Sequence, residues 1–69
     1  MLHLTATRVD GHGVITLTDT EISKLLYWVI RAMRERGWVG AAVVIRNEAR
    51  EIVFEAVIPT KLPPDSNPS

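Results

Sequence analysis

The 69-residue sequence contains no cysteine, which excludes a disulfide scaffold and any thiolate metal site and fits a reducing, cytoplasmic setting. Long apolar runs are also missing: nothing approaches the roughly 18 residues of a membrane span. Met1 leads directly into an alternating segment rather than a basic and then apolar leader, so no signal peptide is expected. Nor is there an excess of one charge. Eight basic and eight acidic side chains cancel, leaving no global field to draw the chain onto nucleic acid, a membrane or an acidic substrate.

Reactive constellations are equally scarce. His3 and His12 are the only histidines, and the hairpin register derived below puts them at opposite ends of a ribbon, so they cannot converge with further ligands on a metal. Gly11 and Gly13 form a GxG after a strand, but a strand rather than a helix follows, which removes the phosphate-binding context. Glu48, Glu51 and Glu55 lie along a second hairpin, where charges mark a solvated face or a guarded edge. Ser23 has no histidine and acid arranged around it. No catalytic residue, cofactor or metal is therefore expected, and a core this small leaves little room for an enzyme pocket of some 300 Å³.

What the chain does have is apolar surface. Hydrophobic residues make up 46% and mean hydropathy is +0.10, yet a chain this short buries only about 60% of what its unfolded form exposes. Some apolar area should remain outside a lone monomer's core.

The longest periodic stretch is Thr18–Gly37. Thr18 and Glu21 have the spacing of a capping box, while Arg34, Arg36 and Gly37 make a stop signal with glycine in the left-handed C′ position. At about 100° per residue, Ile22, Leu25, Leu26, Val29 and Met33 share one face and Lys24, Tyr27, Arg31, Arg34 and Glu35 the other. Trp28 and Ile30 sit on opposite shoulders, widening the apolar arc to about 200° and implying cover beyond one flat sheet.

Each side of this helix reads as a hairpin. Leu2–Val9 alternates, and a turn at Asp10-Gly11, or a loop over Asp10 to Gly13, pairs Leu4 with Leu17, Thr5 with Thr16, Ala6 with Ile15 and Thr7 with Val14. Beyond the helix, a loop centred on Glu48 and Ala49 sets Ile45 opposite Ile52, Val43 opposite Phe54, Ala41 opposite Ala56, Val39 opposite Ile58 and Arg46 opposite Glu51. The reverse face of that hairpin carries Trp38, Gly40, Ala42, Val44, Val53, Glu55 and Val57, much less polar than an open antiparallel face usually is.

The order ββαββ predicts an α+β two-layer sandwich over residues 1–58, one helix on a mostly antiparallel four-stranded sheet. Residues 59–69 hold all four prolines and are expected to be a disordered tail that contributes nothing to folding. In element order the chain resembles the β-grasp topology, in which the first and last strands are parallel central neighbours. The paired terminal glycines of the ubiquitin-like carriers are missing, so none of their chemistry is implied. The rival assembly keeps the two hairpins apart and joins them across a dimer.

The function expected from these features is that of a small non-enzymatic protein–protein interaction module, of inhibitor, adaptor or regulator type, working as a homo-oligomer. Its interface to itself or to another protein is expected at Trp28, Trp38, Ala42, Val44, Val53 and Val57. The alternative is a nucleic-acid-binding regulator using Lys24, Tyr27, Arg31 and Arg34, with Arg8, Arg46 and Arg50 extending the basic band.

Overall fold

A computed structural model describes residues 1–60. The element order is β1 (Leu2–Arg8), β2 (Val14–Asp19), α1 (Ile22–Glu35), β3 (Gly40–Arg46) and β4 (Ile52–Pro59). The four strands form one antiparallel sheet in the order β2-β1-β3-β4, so the α+β sandwich stands. The β-grasp arrangement does not. β1 lies next to β3 and antiparallel to it, and β4 is an edge rather than a central parallel neighbour of β1. The two hairpins join within one chain, because the inner faces of β1 and β3 match residue for residue: Leu4 faces Ile45 and Ala6 faces Val43.

The core lies where these central strands meet the helix. Leu4, Ala6, Ile15, Ala41, Val43 and Ile45 of the sheet close on Leu25, Val29 and Met33 of the helix, all on the face that the helical period selected. Each fully buried Leu, Ile, Val or Met contributes about 1.5–3 kcal/mol. The helix backbone passes over β2, β1 and β3 but does not come within 8 Å of β4.

The first hairpin has the expected register from Leu4–Leu17 to Thr7–Val14, closed by a connection in which Arg8 N–H donates to Gly13 O. Gly11, at φ 80°, takes the left-handed position there. The same ladder corrects the helix start. Pairing continues through His3–Thr18 and Leu2–Asp19, so Thr18 belongs to β2 and is no N-cap. The cap residue is Glu21, without a side-chain cap bond. Asp19 Oδ1 instead accepts from the Thr20 and Glu21 amides at 2.6 and 3.1 Å, organising the turn before the helix. The helix end agrees with the stop signal. Gly37 N–H donates to Arg34 O and Trp38 N–H to Met33 O, with Gly37 at φ 73°, which is a Schellman motif.

That motif also corrects Trp38. A Schellman end folds the second residue beyond the cap back onto the last turn, so Trp38 is 7% exposed in the core instead of standing on the reverse face of β3.

The second hairpin is displaced by two residues from its expected register, with Ile45 opposite Phe54, Val43 opposite Ala56 and Ala41 opposite Ile58. Two single-residue steps produce the displacement. Arg50 N–H donates to Asn47 O, Asn47 N–H donates to Glu51 O, and Arg50 adopts φ 67°, making a three-residue loop where two had been expected. A bulge between Ile45 and Arg46 in the β3–β4 ladder supplies the second step. Beyond the bulge the two steps restore the strand's parity, so Phe54 to Ile58 keep their faces although each partner changes; Ile52, which pairs with Arg46, and Val39, which precedes β3, leave the inner face and are exposed. Arg46 consequently pairs with Ile52, not Glu51.

β4 runs through Pro59, and Thr60 is 8% exposed, its amide donating to Val39 O and its hydroxyl to Trp38 O. This corrects the expected start of the tail at residue 59, because ladder pairing and the Thr60 hydrogen bonds tie Pro59 and Thr60 to the fold; residues 61–69 of the expected tail lie outside the described residues.

Candidate functional site

Two surfaces gather the residues expected to meet a partner. The first is the β4 side of the sheet. Because the helix stops short of β4, its inner residues Phe54, Ala56 and Ile58 are only half-buried. On the opposite face Val57 is 70% and Val53 43% exposed. Cross-strand pairing aligns Val57 with Ala42, and Ala42 with Thr7 and then Val14, giving an apolar row relieved by a single threonine. Val44 sits half-buried between Thr5 and Glu55 in the next row. Ala42, Val44, Val53 and Val57 therefore do share one region, whereas Trp38 is removed from it.

The second surface is on the helix. Tyr27 and Trp28 are each about half exposed and meet edge to face at 5.1 Å. The Arg31 guanidinium lies 5.9 and 5.7 Å from their ring centroids and donates to Tyr27 Oη at 3.2 Å. That hydrogen bond raises the pKa of Arg31 above its already high value and keeps the group charged. Arg34 Nε donates to Thr60 O at 3.4 Å, which turns the Leu26–Ile30–Arg34 side of the helix toward the β3–β4 half and leaves Trp28 on the opposite shoulder. Trp28 is thus separated from the β4 region.

Of the expected basic band, Tyr27, Arg31 and Arg34 line one open recess together with Glu35, and the remaining basic residues lie apart from it. Lys24 lies 3.5 Å from Glu21 and Arg8 2.8 Å from Asp10. Arg46 and Arg50 line an open polar recess of about 650 Å³ with His3, Asn47 and Glu48, at the end of the sheet away from Arg8. Glu48 is bound at 2.5 Å by the Met1 amine, which holds its pKa below the usual range. His12 is in the loop at the far end from His3, and among the described residues no group of three or more His, Cys, Asp or Glu is placed to hold a metal. Among those residues, no helix is long and apolar enough to cross a membrane.

Sequence reasoning missed that Phe54, Ala56 and Ile58 are incompletely buried and that Ile52 and Val39, assigned to the same inner face, are exposed. The alternation of Phe54, Ala56 and Ile58 marks their correct face. How far the helix reaches across the sheet has no signature in the strand itself. Comparison with protein-family models, curated proteins and solved structures finds nothing that matches this chain.

Proposed function

We infer that this protein is a small protein–protein interaction module that works without catalysis, as a homo-oligomer in a cytoplasmic setting, and inhibits, adapts or regulates by covering another macromolecule's surface. The observation that carries the reading is the apolar surface of the β4 region, where Val57 is 70% and Val53 43% exposed and Phe54, Ala56 and Ile58 are incompletely buried. Uncovered area of this kind is what association removes from water. Tyr27, Trp28 and Arg31 supply a separate patch made of the residue types that dominate binding hot spots, suited to a different protein partner.

The reading of Lys24, Tyr27, Arg31 and Arg34 as a nucleic-acid site has less support, since Lys24 faces Glu21 and Arg34 is turned to Thr60. Affinity for arbitrary DNA or RNA that falls steeply with salt would favour it. Sedimentation equilibrium tests the main reading: association at tens of micromolar is expected, and a monomer throughout that range would refute the homo-oligomer.

A further inference from the structure

We propose that two copies of this chain pair through their β4 edges, antiparallel about a two-fold axis at Ala56, joining two four-stranded sheets into one of eight strands. This rests on the homo-oligomer reading and specifies its partner and register.

The backbone defines the segment able to pair. Thr60 N–H donates to Val39 O across the β3–β4 ladder, so by the alternation of an antiparallel strand Ile58, Ala56 and Phe54 direct their amides inward, and Val57 and Glu55 direct theirs away from the sheet. On one side the free segment ends at the bulge near Val53 and Phe54. On the other it ends at Pro59, which has no N–H to give. What remains is Phe54–Ile58, whose midpoint is Ala56. A two-fold there places Phe54 opposite Ile58 of the second copy and Glu55 opposite Val57, each twice. The outward amides and carbonyls of Glu55 and Val57 then form the new ladder, and the small Ala56 occupies the close non-hydrogen-bonded position on the axis.

Charge selects this register over its neighbour. Glu55 is the only charged residue within β4. Centring the axis on Glu55 itself would oppose two carboxylates, a destabilising cross-strand pair, whereas centring on Ala56 gives each carboxylate a valine. No lysine or arginine stands in β4; its edge is guarded by Glu55, by Pro59 and by the bulge near Val53, of which the last two bound the free segment from Phe54 to Ile58 and leave it able to pair. β2, the other edge, is shorter at six residues and lies beneath the helix.

Area agrees with a reversible dimer. The eight residues of β4 extend about 26 Å at roughly 3.3 Å each, and because the helix stops short of β4 the edge is one sheet layer, about 10 Å, deep. That edge offers on the order of 300 Å² per partner, well below the roughly 800 Å² of a standard interface and at the scale of weak, transient contacts.

The test uses the sign of a charge at position 57, where the 70% exposed side chain can change without disturbing the core. Sedimentation equilibrium is run on the full chain, on Val57→Lys, on Val57→Glu and on the double variant Glu55→Lys/Val57→Glu, with circular dichroism confirming that each is folded. The expected results are that Val57→Lys, facing Glu55 of the second copy, associates at least as tightly as the parent, that Val57→Glu associates roughly tenfold more weakly, and that the double variant recovers. If the parent associates but Lys and Glu weaken it equally, β4 pairing is overturned while the homo-oligomer reading survives. A monomeric parent overturns both.

Discussion

Gly13→Ala isolates the contact that fixes the end of the helix against the first hairpin. A Cβ at Gly13 would stand 2.6 Å from Trp38 Cζ2 and 3.4 Å from Cε2 and Cη2. Neither side can easily yield. Gly13 O accepts from Arg8 N–H at 2.9 Å, and Trp38 is held by its amide to Met33 O and by its carbonyl to the Thr60 hydroxyl. Gly13 does not have positive φ, so the penalty is crowding of a packed indole and not backbone strain. Overpacking of this kind costs about 1–3 kcal/mol, a large part of the roughly 3–10 kcal/mol available to a chain this size. The melting point should fall by about 4–8 °C per kcal/mol. Urea denaturation of a double-mutant cycle with Trp38→Phe is the assay. Removing the benzo ring opens the space that the new methyl needs, so Gly13→Ala should cost at least about 1 kcal/mol less in the Trp38→Phe background. A Gly13→Ala variant as stable as its parent, or a cycle additive within about 0.5 kcal/mol, would refute the packing described.

Other consequences are open to simpler measurements. Asp19, whose pKa is lowered chiefly by the hydrogen bond from the Glu21 amide, contributes stability that is present above the ordinary carboxylate range and lost as pH falls through its depressed value. Asp19→Asn should therefore melt below the parent at neutral pH, with the gap closing in acid; a gap independent of pH contradicts this. Thr18→Ala, in contrast, should change stability by no more than about 0.5 kcal/mol, because Thr18 is an exposed residue of β2 and not a cap. Thr60→Val should cost roughly 1 kcal/mol in denaturant titration by deleting the hydroxyl donor to Trp38 O, and an unchanged midpoint would place that hydroxyl outside the fold's support.

Much of this architecture is legible in the sequence because local rules and tertiary pairing agree there. The alternation of Leu4, Ala6, Ile15 and Leu17 fixed the first hairpin, and the helical period picked out Leu25, Val29 and Met33. The misreadings share one cause: a local signal overridden by pairing or by a chain reversal. Thr18 has the spacing of a capping box with Glu21, but the ladder to His3 takes it first. Trp38 follows strand parity only if the strand reaches it, and the Schellman reversal ends the helix in a way that turns the indole inward. In the second hairpin the Asn47–Glu51 turn and the nearby bulge lack a strong sequence marker, since Arg50 holds the left-handed position where glycine would have announced it. For the candidate site, Ala42, Val44, Val53 and Val57 could be placed on one face from alternation alone. The shortfall of the helix over β4 could not, because it depends on where the crossover from β2 to β3 lies across the sheet.

Amide hydrogen exchange on the parent chain, followed as protein concentration is raised, tests the self-association claim most directly. In dilute solution the outward amides of Glu55 and Val57, on a strand with no second ladder partner among the described residues, should exchange far faster than the inward amides of Ala56 and Ile58. Above the dissociation constant, Glu55 and Val57 should gain protection while the outward amides of β2 do not. Equal exchange of Glu55 and Val57 at low and high concentration would contradict the β4 interface, and equal exchange across the whole sheet together with a monomeric mass would contradict self-association itself.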